Sequence, residues 1–199
     1  MKNDRRIGIS MRIVQAAGYI EPRDALSQQW AGFMAQALPN ARWLPIPNLG
    51  AQAVTRFCTQ WDLNGLILSG GDDIGHSPVR DDTELALLDW AKRQQAPVLG
   101  VCRGMQLMCL QAGAKLVPVQ GHVCTRHVVS GERSGEVNSF HAWAPDRCPP
   151  GFRLLAHAPD GVLEAVAHDT MRWEGWMWHP ERESSIDEQD VQRLQRIFE

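Results

Sequence analysis

The chain has 199 residues, 44% of them hydrophobic, with a formal net charge of -3 and a pI near 6.2. That length supports one full hydrophobic core and leaves little room for a second, so a single domain over residues 1–199 is expected. Lys and Arg are scattered without a basic block and no run approaches about eighteen apolar residues, which argues against nucleic-acid binding and a membrane span.

Five cysteines, Cys58, Cys102, Cys109, Cys124 and Cys148, are odd in number and form no C-x-x-C pair. Neither a disulfide framework nor a zinc site is expected, no cofactor is called for, and a reducing cytoplasm suits the thiols. The polar opening Met1-Lys2-Asn3-Asp4-Arg5-Arg6 leads into a strand-like run with no apolar leader, so secretion is not expected.

In chain order, Ile7-Gly8-Ile9-Ser10 predicts a first buried strand ending in a polar loop around residues 15–21. Leu26, Trp30, Phe33, Met34, Ala37 and Leu38 recur every three or four residues, predicting a helix over residues 23–38 that Pro39-Asn40 ends. Arg42-Trp43-Leu44-Pro45-Ile46 predicts a second strand, at a sheet edge because of its proline. A helix over 51–61 precedes a buried strand, Gly65-Leu66-Ile67-Leu68, that stops at Gly70-Gly71 with Asp72 and Asp73 behind it. A third helix, residues 81–95, starts with Asp81-Asp82-Thr83-Glu84, acids suited to a helix N-terminus.

The next strand, Pro97-Val98-Leu99-Gly100-Val101, runs into Cys102-Arg103-Gly104-Met105-Gln106, and Leu107, Leu110, Gln111 and Ala114 continue at helical spacing. Gly100 and Gly104 remove side chains where strand and helix must cross, as in a nucleophile elbow. Cys102 then stands at a helix N-terminus, where its thiol pKa is expected to fall and the Arg103 N–H to face a developing oxyanion. The Gly70-Gly71 loop offers a second such donor at Gly71. Strands and helices alternate this far, which implies a parallel sheet covered on both faces, with functional residues at the carboxyl ends of strands.

Past Ala114 the pattern shifts to short strands over residues 115–119, 126–130, 137–141, 153–158, 162–168 and 171–178, and a closing helix over 187–198. Trp30, Trp43, Trp61, Trp90 and Trp143 are read as caps on core edges. A cysteine nucleophile needs a base held by a third group. His179 follows a strand-like Gly175-Trp176-Met177-Trp178, is stopped by Pro180, and has Glu181 two residues on. His141, in Val137-Asn138-Ser139-Phe140-His141, is the second candidate. His122 and His127 flank Cys124 at a spacing that matches no metal site and are read as loop residues; no metal ligand is expected.

Four ordered motifs, Ser69-Gly70-Gly71-Asp72-Asp73, Gly100 to Gln106, Val137 to His141, and His179-Pro180-Glu181, resemble the class I glutamine amidotransferases, and among them the γ-glutamyl hydrolase branch. The resemblance implies a flavodoxin-like three-layer α/β sandwich with a mostly parallel central sheet and a nucleophile elbow. It implies a catalytic triad of Cys102, His179 and Glu181 acting through a γ-glutamyl thioester, with Gly71 and Arg103 as the oxyanion hole. Gly70, Gln106, Asn138, Ser139, Phe140 and His141 match positions that contact the glutamyl part of the substrate.

The chain departs from the family at Gly175-Trp176-Met177, where relatives have Gly-x-Gln, and at Ala142-Trp143, where hydrolases often carry glutamine. Its compact length and its two substrate loops look most like γ-glutamyl-CDP-amidate hydrolases, which release glutamate and cytidine diphosphoramidate for capsular polysaccharide. On that resemblance the partner is a small nucleotide-linked γ-glutamyl molecule, and Asp72, Asp73 and Arg80 are candidates for reading the nucleotide. The alternative is a glutaminase subunit that passes ammonia to a separate synthase partner.

Overall fold

The computed structural model describes residues 4–198; the reading of Met1, Lys2 and Asn3 as part of a polar lead-in lies outside the described residues. In β1 (Arg6–Ser10), Ile7 and Ile9 are buried on one face while Ile46 and Leu63 close in on Gly8 from the other. The expected polar loop is the turn of an antiparallel hairpin of β2 (Arg12–Gln15) and β3 (Pro22–Ala25), and β3 replaces the first turn of the expected 23–38 helix. Pairing with residues 12–15 takes the backbone of residues 22–25, so α1 (Gln29–Ala37) keeps only the later part of the apolar stripe.

The next elements follow the expected alternation: β4 (Arg42–Ile46), α2 (Gly50–Gln60), β5 (Gly65–Leu68), α3 (Pro78–Gln94), β6 (Val98–Val101) and α4 (Arg103–Gln111). Pro78 opens α3 three residues ahead of the expected start, as a proline suits the first helical turn. The remaining strands are β7 (Leu116–Pro118), β8 (Val123–Gly131), β9 (Gly135–Phe140), β10 (Trp143–Pro145), β11 (Phe152–His157), β12 (Leu163–His168) and β13 (Trp173–Trp176). A 3-10 turn, Pro180–Arg182, and α5 (Glu188–Phe198) finish the chain. Sequence reading missed only β10 among these; it pairs with β7 outside the main sheet.

The main sheet has nine strands in the order β4-β1-β5-β6-β13-β12-β11-β8-β9. The first five are parallel and the rest pair antiparallel, which leaves β4 on an edge as its proline suggested. A core of Ile7, Ile9, Ile67, Leu99 and Val101 packs under α1 and α5 on one face. Leu66, Leu68 and Val98 pack under α2, α3 and α4 on the other. This is the three-layer α/β sandwich expected, and no helix of the described residues is long and apolar enough to cross a membrane.

The tryptophans divide differently from expectation. Trp30 and Trp90 are in the core, whereas Trp61 is 55% exposed because it stands at the end of α2 facing solvent. The deepest indoles are Trp30, Trp176 and Trp178, of which the last two stack with ring centroids 5.4 Å apart. Trp178 Nε1 donates to Asp190 Oδ2 (3.0 Å), and the buried Arg133 guanidinium lies over its ring.

The elbow is as sharp as its glycines implied. Cys102 adopts φ 51°, ψ -102°, a conformation that costs a non-glycine residue about 1–3 kcal/mol and persists only when neighbours enforce it. Here the Cys102 N–H donates to Trp176 O (2.7 Å), and the Gln106 N–H donates to Cys102 O (3.0 Å). Helix α4 crosses β5 so closely that a Cβ on Gly104 would stand 2.3 Å from the Leu68 carbonyl oxygen. Gly104→Ala is therefore expected to lower stability by about 1–3 kcal/mol or more, since the obstacle is backbone. The urea midpoint reads this directly, and an unchanged midpoint means the crossing can widen at no cost.

Candidate active site

The floor of the site is a buried ionic network. Glu84 accepts from Ser10 Oγ (2.8 Å), Arg80 Nε (3.1 Å) and Arg103 Nη1, and Arg103 Nη2 reaches Asp81. Arg80 Nη2 donates to the carbonyls of Ser69 and Gly70, each at 3.0 Å, and Ser10 Oγ accepts the Ser69 N–H (2.9 Å). The Ser69-Gly70-Gly71 loop is thus held from beneath by charge. Arg80 is 1% exposed, with Nε on Glu84 and Nη2 on the loop carbonyls, while its Nη1 is without a hydrogen-bond partner beside Gly71. Asp72 pairs with Arg12 (2.6 Å), and Asp73 is exposed.

Above that floor, β6 and β13 lie side by side with Gly100 paired to Gly175, which brings the two chain segments that follow them together. A Cβ on Gly70 would lie 3.4 Å from Cys102 Cβ and 3.1 Å from His179 Nε2, so thiol-bearing carbon and imidazole flank one point. His179 Nδ1 and Glu181 Oε1 are 2.7 Å apart, both side chains 2% exposed. A carboxylate there holds the proton on Nδ1 and leaves the Nε2 lone pair on the Gly70 side. The ring is fixed from its own backbone as well: the His179 N–H donates to Asn138 Oδ1 (2.9 Å), and Asn138 Nδ2 donates to His179 O (2.8 Å). Phe140 meets the imidazole edge-on at 5.7 Å, and the Arg182 guanidinium lies over the Phe140 ring.

The side chains at the expected substrate-contact positions are largely engaged within the protein. Gln106 Nε2 donates to Trp143 O (2.8 Å), Asn138 clamps His179, and Ser139 Oγ donates to His122 O (2.7 Å). Phe140 is exposed, whereas His141 turns inward. His122 lies in the loop before β8 as expected, whereas the loop reading of His127 is corrected: it is on β8, and both rings stand with His141 beside Glu164. Their spacing carried no signal because Glu164 comes from β12, far along the chain.

One wall was missed altogether. Arg12, Ala25, Leu26, Ser27 and Trp30 join Gly70, Gly71, His179 and Glu181 around a narrow cleft of about 60 Å³. The signals were the β-branched pair Ile13-Val14 between polar residues and a proline at the head of β3.

Burial pushes the Cys102 thiol up to about 12, with the Arg103 N–H pulling the other way. This overturns the expected lowering, because loss of hydration outweighs the helix end. The thiol form is therefore favoured throughout the neutral range. Alkylation of Cys102 by iodoacetamide is expected to be slow near pH 7 and to rise about tenfold per pH unit to beyond pH 9. Peptide-resolved mass spectrometry, with exposed Cys124 as the contrast, reads it; a plateau below about pH 8 establishes a preformed thiolate.

Residues 44–197 match the model of the family described as glutamine amidotransferase class-I. Gamma-glutamyl-CDP-amidate hydrolase of Campylobacter jejuni is 28% identical, with 96% of each chain covered. The glutamine-hydrolyzing GMP synthase subunit of Methanothrix thermoacetophila is 35% identical over 59% of this chain and 67% of its own. A solved glutamine amidotransferase of Thermotoga maritima shares the fold at TM-score 0.67 and 12% identity, over 98% of this chain and 82% of that one.

Proposed function

The chain belongs to the class I glutamine amidotransferase family, and on that premise we propose that it hydrolyses a γ-glutamyl amide through Cys102, His179 and Glu181. The observation that carries this reading is the meeting of Cys102 and His179 across Gly70, with Glu181 behind the imidazole. With the thiol neutral at rest, its proton passes to His179 Nε2 as Sγ attacks the γ-carbonyl, so base and nucleophile act in one step. The oxyanion of the tetrahedral intermediate takes the N–H groups of Gly71 and Arg103, donors worth roughly 3–4 kcal/mol each in such sites. Imidazolium returns the proton to the leaving nitrogen as the C–N bond breaks, leaving a γ-glutamyl thioester on Cys102. Water, deprotonated by His179, then attacks the thioester carbonyl; glutamate leaves and the thiol is restored.

Gly70, Gln106 and the loop from Asn138 to His141 surround the glutamyl part in this reading, with Asn138 acting through the His179 backbone. The substrate class favoured is γ-glutamyl-CDP-amidate, giving glutamate and cytidine diphosphoramidate for capsule assembly, because similarity to that hydrolase runs along nearly the full length of both chains. The five free cysteines fit a cytoplasmic setting for this reaction. A second reading, a glutaminase component feeding ammonia to a synthase, is favoured by the similarity to the glutamine-hydrolyzing part of GMP synthase.

Glutamate release measured in parallel on γ-glutamyl-CDP-amidate, glutamine and a γ-glutamyl dipeptide decides between them. Preference for the amidate without any partner protein is the expected result; turnover of glutamine only with a synthase added establishes the second reading. Cys102→Ser is expected to fold and to lose hydrolysis, while the native enzyme quenched in acid carries a γ-glutamyl group on the Cys102 peptide; full turnover by the variant ends the covalent route. His179→Asn is expected to cost at least about a thousandfold in kcat. A loss under about tenfold removes His179 as the base.

A further inference from the structure

We propose that His122, His127 and Glu164 form a site for a divalent transition-metal ion of the zinc class, structural in role and separate from the catalytic chemistry. His122 Nδ1, His127 Nε2 and His141 Nε2 lie 3.1, 3.2 and 3.4 Å from a single atom, Glu164 Oε1. Four donors bound to one zinc at about 2.0–2.1 Å in a tetrahedron stand about 3.3 Å apart along each edge. The His122 and His127 separations match that edge, whereas His141 nears the carboxylate without joining the converging donors. The donor atoms of His122, His127 and Glu164 all fall within 4.8 Å of one another.

Direction supports the same conclusion. None of these three donor atoms has a hydrogen-bond partner, although the side chains are only 0–13% exposed. The nitrogens are close to the carboxylate without aiming an N–H at it, which leaves buried lone pairs converging on shared space. Buried polar groups left so are costly unless something fills the gap. His122 also has the outer contact typical of a metal-bound imidazole: its Nε2 meets Asp160 Oδ2 at 2.9 Å, which holds the proton on that nitrogen and frees Nδ1. Two imidazoles and a carboxylate are the borderline donors zinc takes, and a water would complete the tetrahedron.

The place in the fold gives the ion its work. Strand β8 pairs with β11 only at Ser130 and Gly131, so the far end of the β8–β9 hairpin has little ladder to hold it. That end carries Asn138, which clamps the His179 backbone, and Phe140, which meets its ring. Glu164 is anchored on β12, and its carbonyl accepts the Met177 N–H (2.8 Å) two residues before His179. An ion bound by His122, His127 and Glu164 pins the hairpin to the strand pair that delivers His179.

The test is metal analysis of the full-length untagged protein, stripped with chelator, incubated with zinc chloride and desalted. About one zinc per chain is expected, with a raised melting temperature on adding zinc and visible absorption of four-coordinate cobalt after cobalt replacement. Glu164→Gln and His127→Ala are each expected to fall below about 0.1 zinc per chain, while Cys102→Ser keeps its zinc, which separates this site from the Cys102–His179 pair. The proposal is overturned if the native chain, folded by circular dichroism, holds less than about 0.1 zinc, for then protons alone satisfy the cluster. It is equally overturned if Glu164→Gln retains the full complement.

Discussion

The site rests on one buried carboxylate. Glu84 takes Arg80, Arg103 and Ser10 at once, and through them it touches three pieces of chain that are far apart in sequence: the end of β1, the loop after β5 and the first residue of α4. Removing one partner of a buried charge group typically costs about 3–5 kcal/mol, because the others are left without compensation. The network therefore does more than stabilise. It sets the height of the Ser69-Gly70-Gly71 loop relative to the elbow, and that height decides whether Gly70 can slot between Cys102 and His179.

The two halves of the sheet divide the task. The parallel half carries Cys102 on a strained bend, held by packing against β5 and by a hydrogen bond from β13. The antiparallel half supplies Asn138 and Phe140, which fix the imidazole by its own main chain and by its edge. Strand β13 belongs to both, since it pairs in parallel with β6 and antiparallel with β12. Small shifts between the halves are resisted by the buried stack of Trp176 on Trp178 and the Arg133–Asp190 pair beneath it.

The order of strands and helices up to α4 was legible because β5 and β6 are runs of fully buried apolar residues and α1 keeps a clear apolar stripe. The elbow was legible because two glycines bracket the cysteine where no larger residue fits. The β2–β3 hairpin was hidden: its strands are four residues each and largely exposed, so no hydrophobic alternation marks them, and Leu26 and Trp30 extend a false helical pattern toward it. The histidine cluster was hidden for another reason, since its carboxylate arrives from a strand formed only when the chain returns to the sheet. The direction of the Cys102 shift was misread because the pull of a helix end is written in the sequence, while the depth of burial is a property of the packed whole.

Residue 103 works with its two ends in different places. Its guanidinium is tied to Glu84 and Asp81 below the loop, while its amide hydrogen bears on the sulfur above. A side-chain replacement there keeps the amide and cuts the tether, so any lost rate reports a displaced loop and says nothing of how an anion is received. Only an ester in place of that one peptide link, which deletes the hydrogen and spares the tether, separates the two duties of this single arginine.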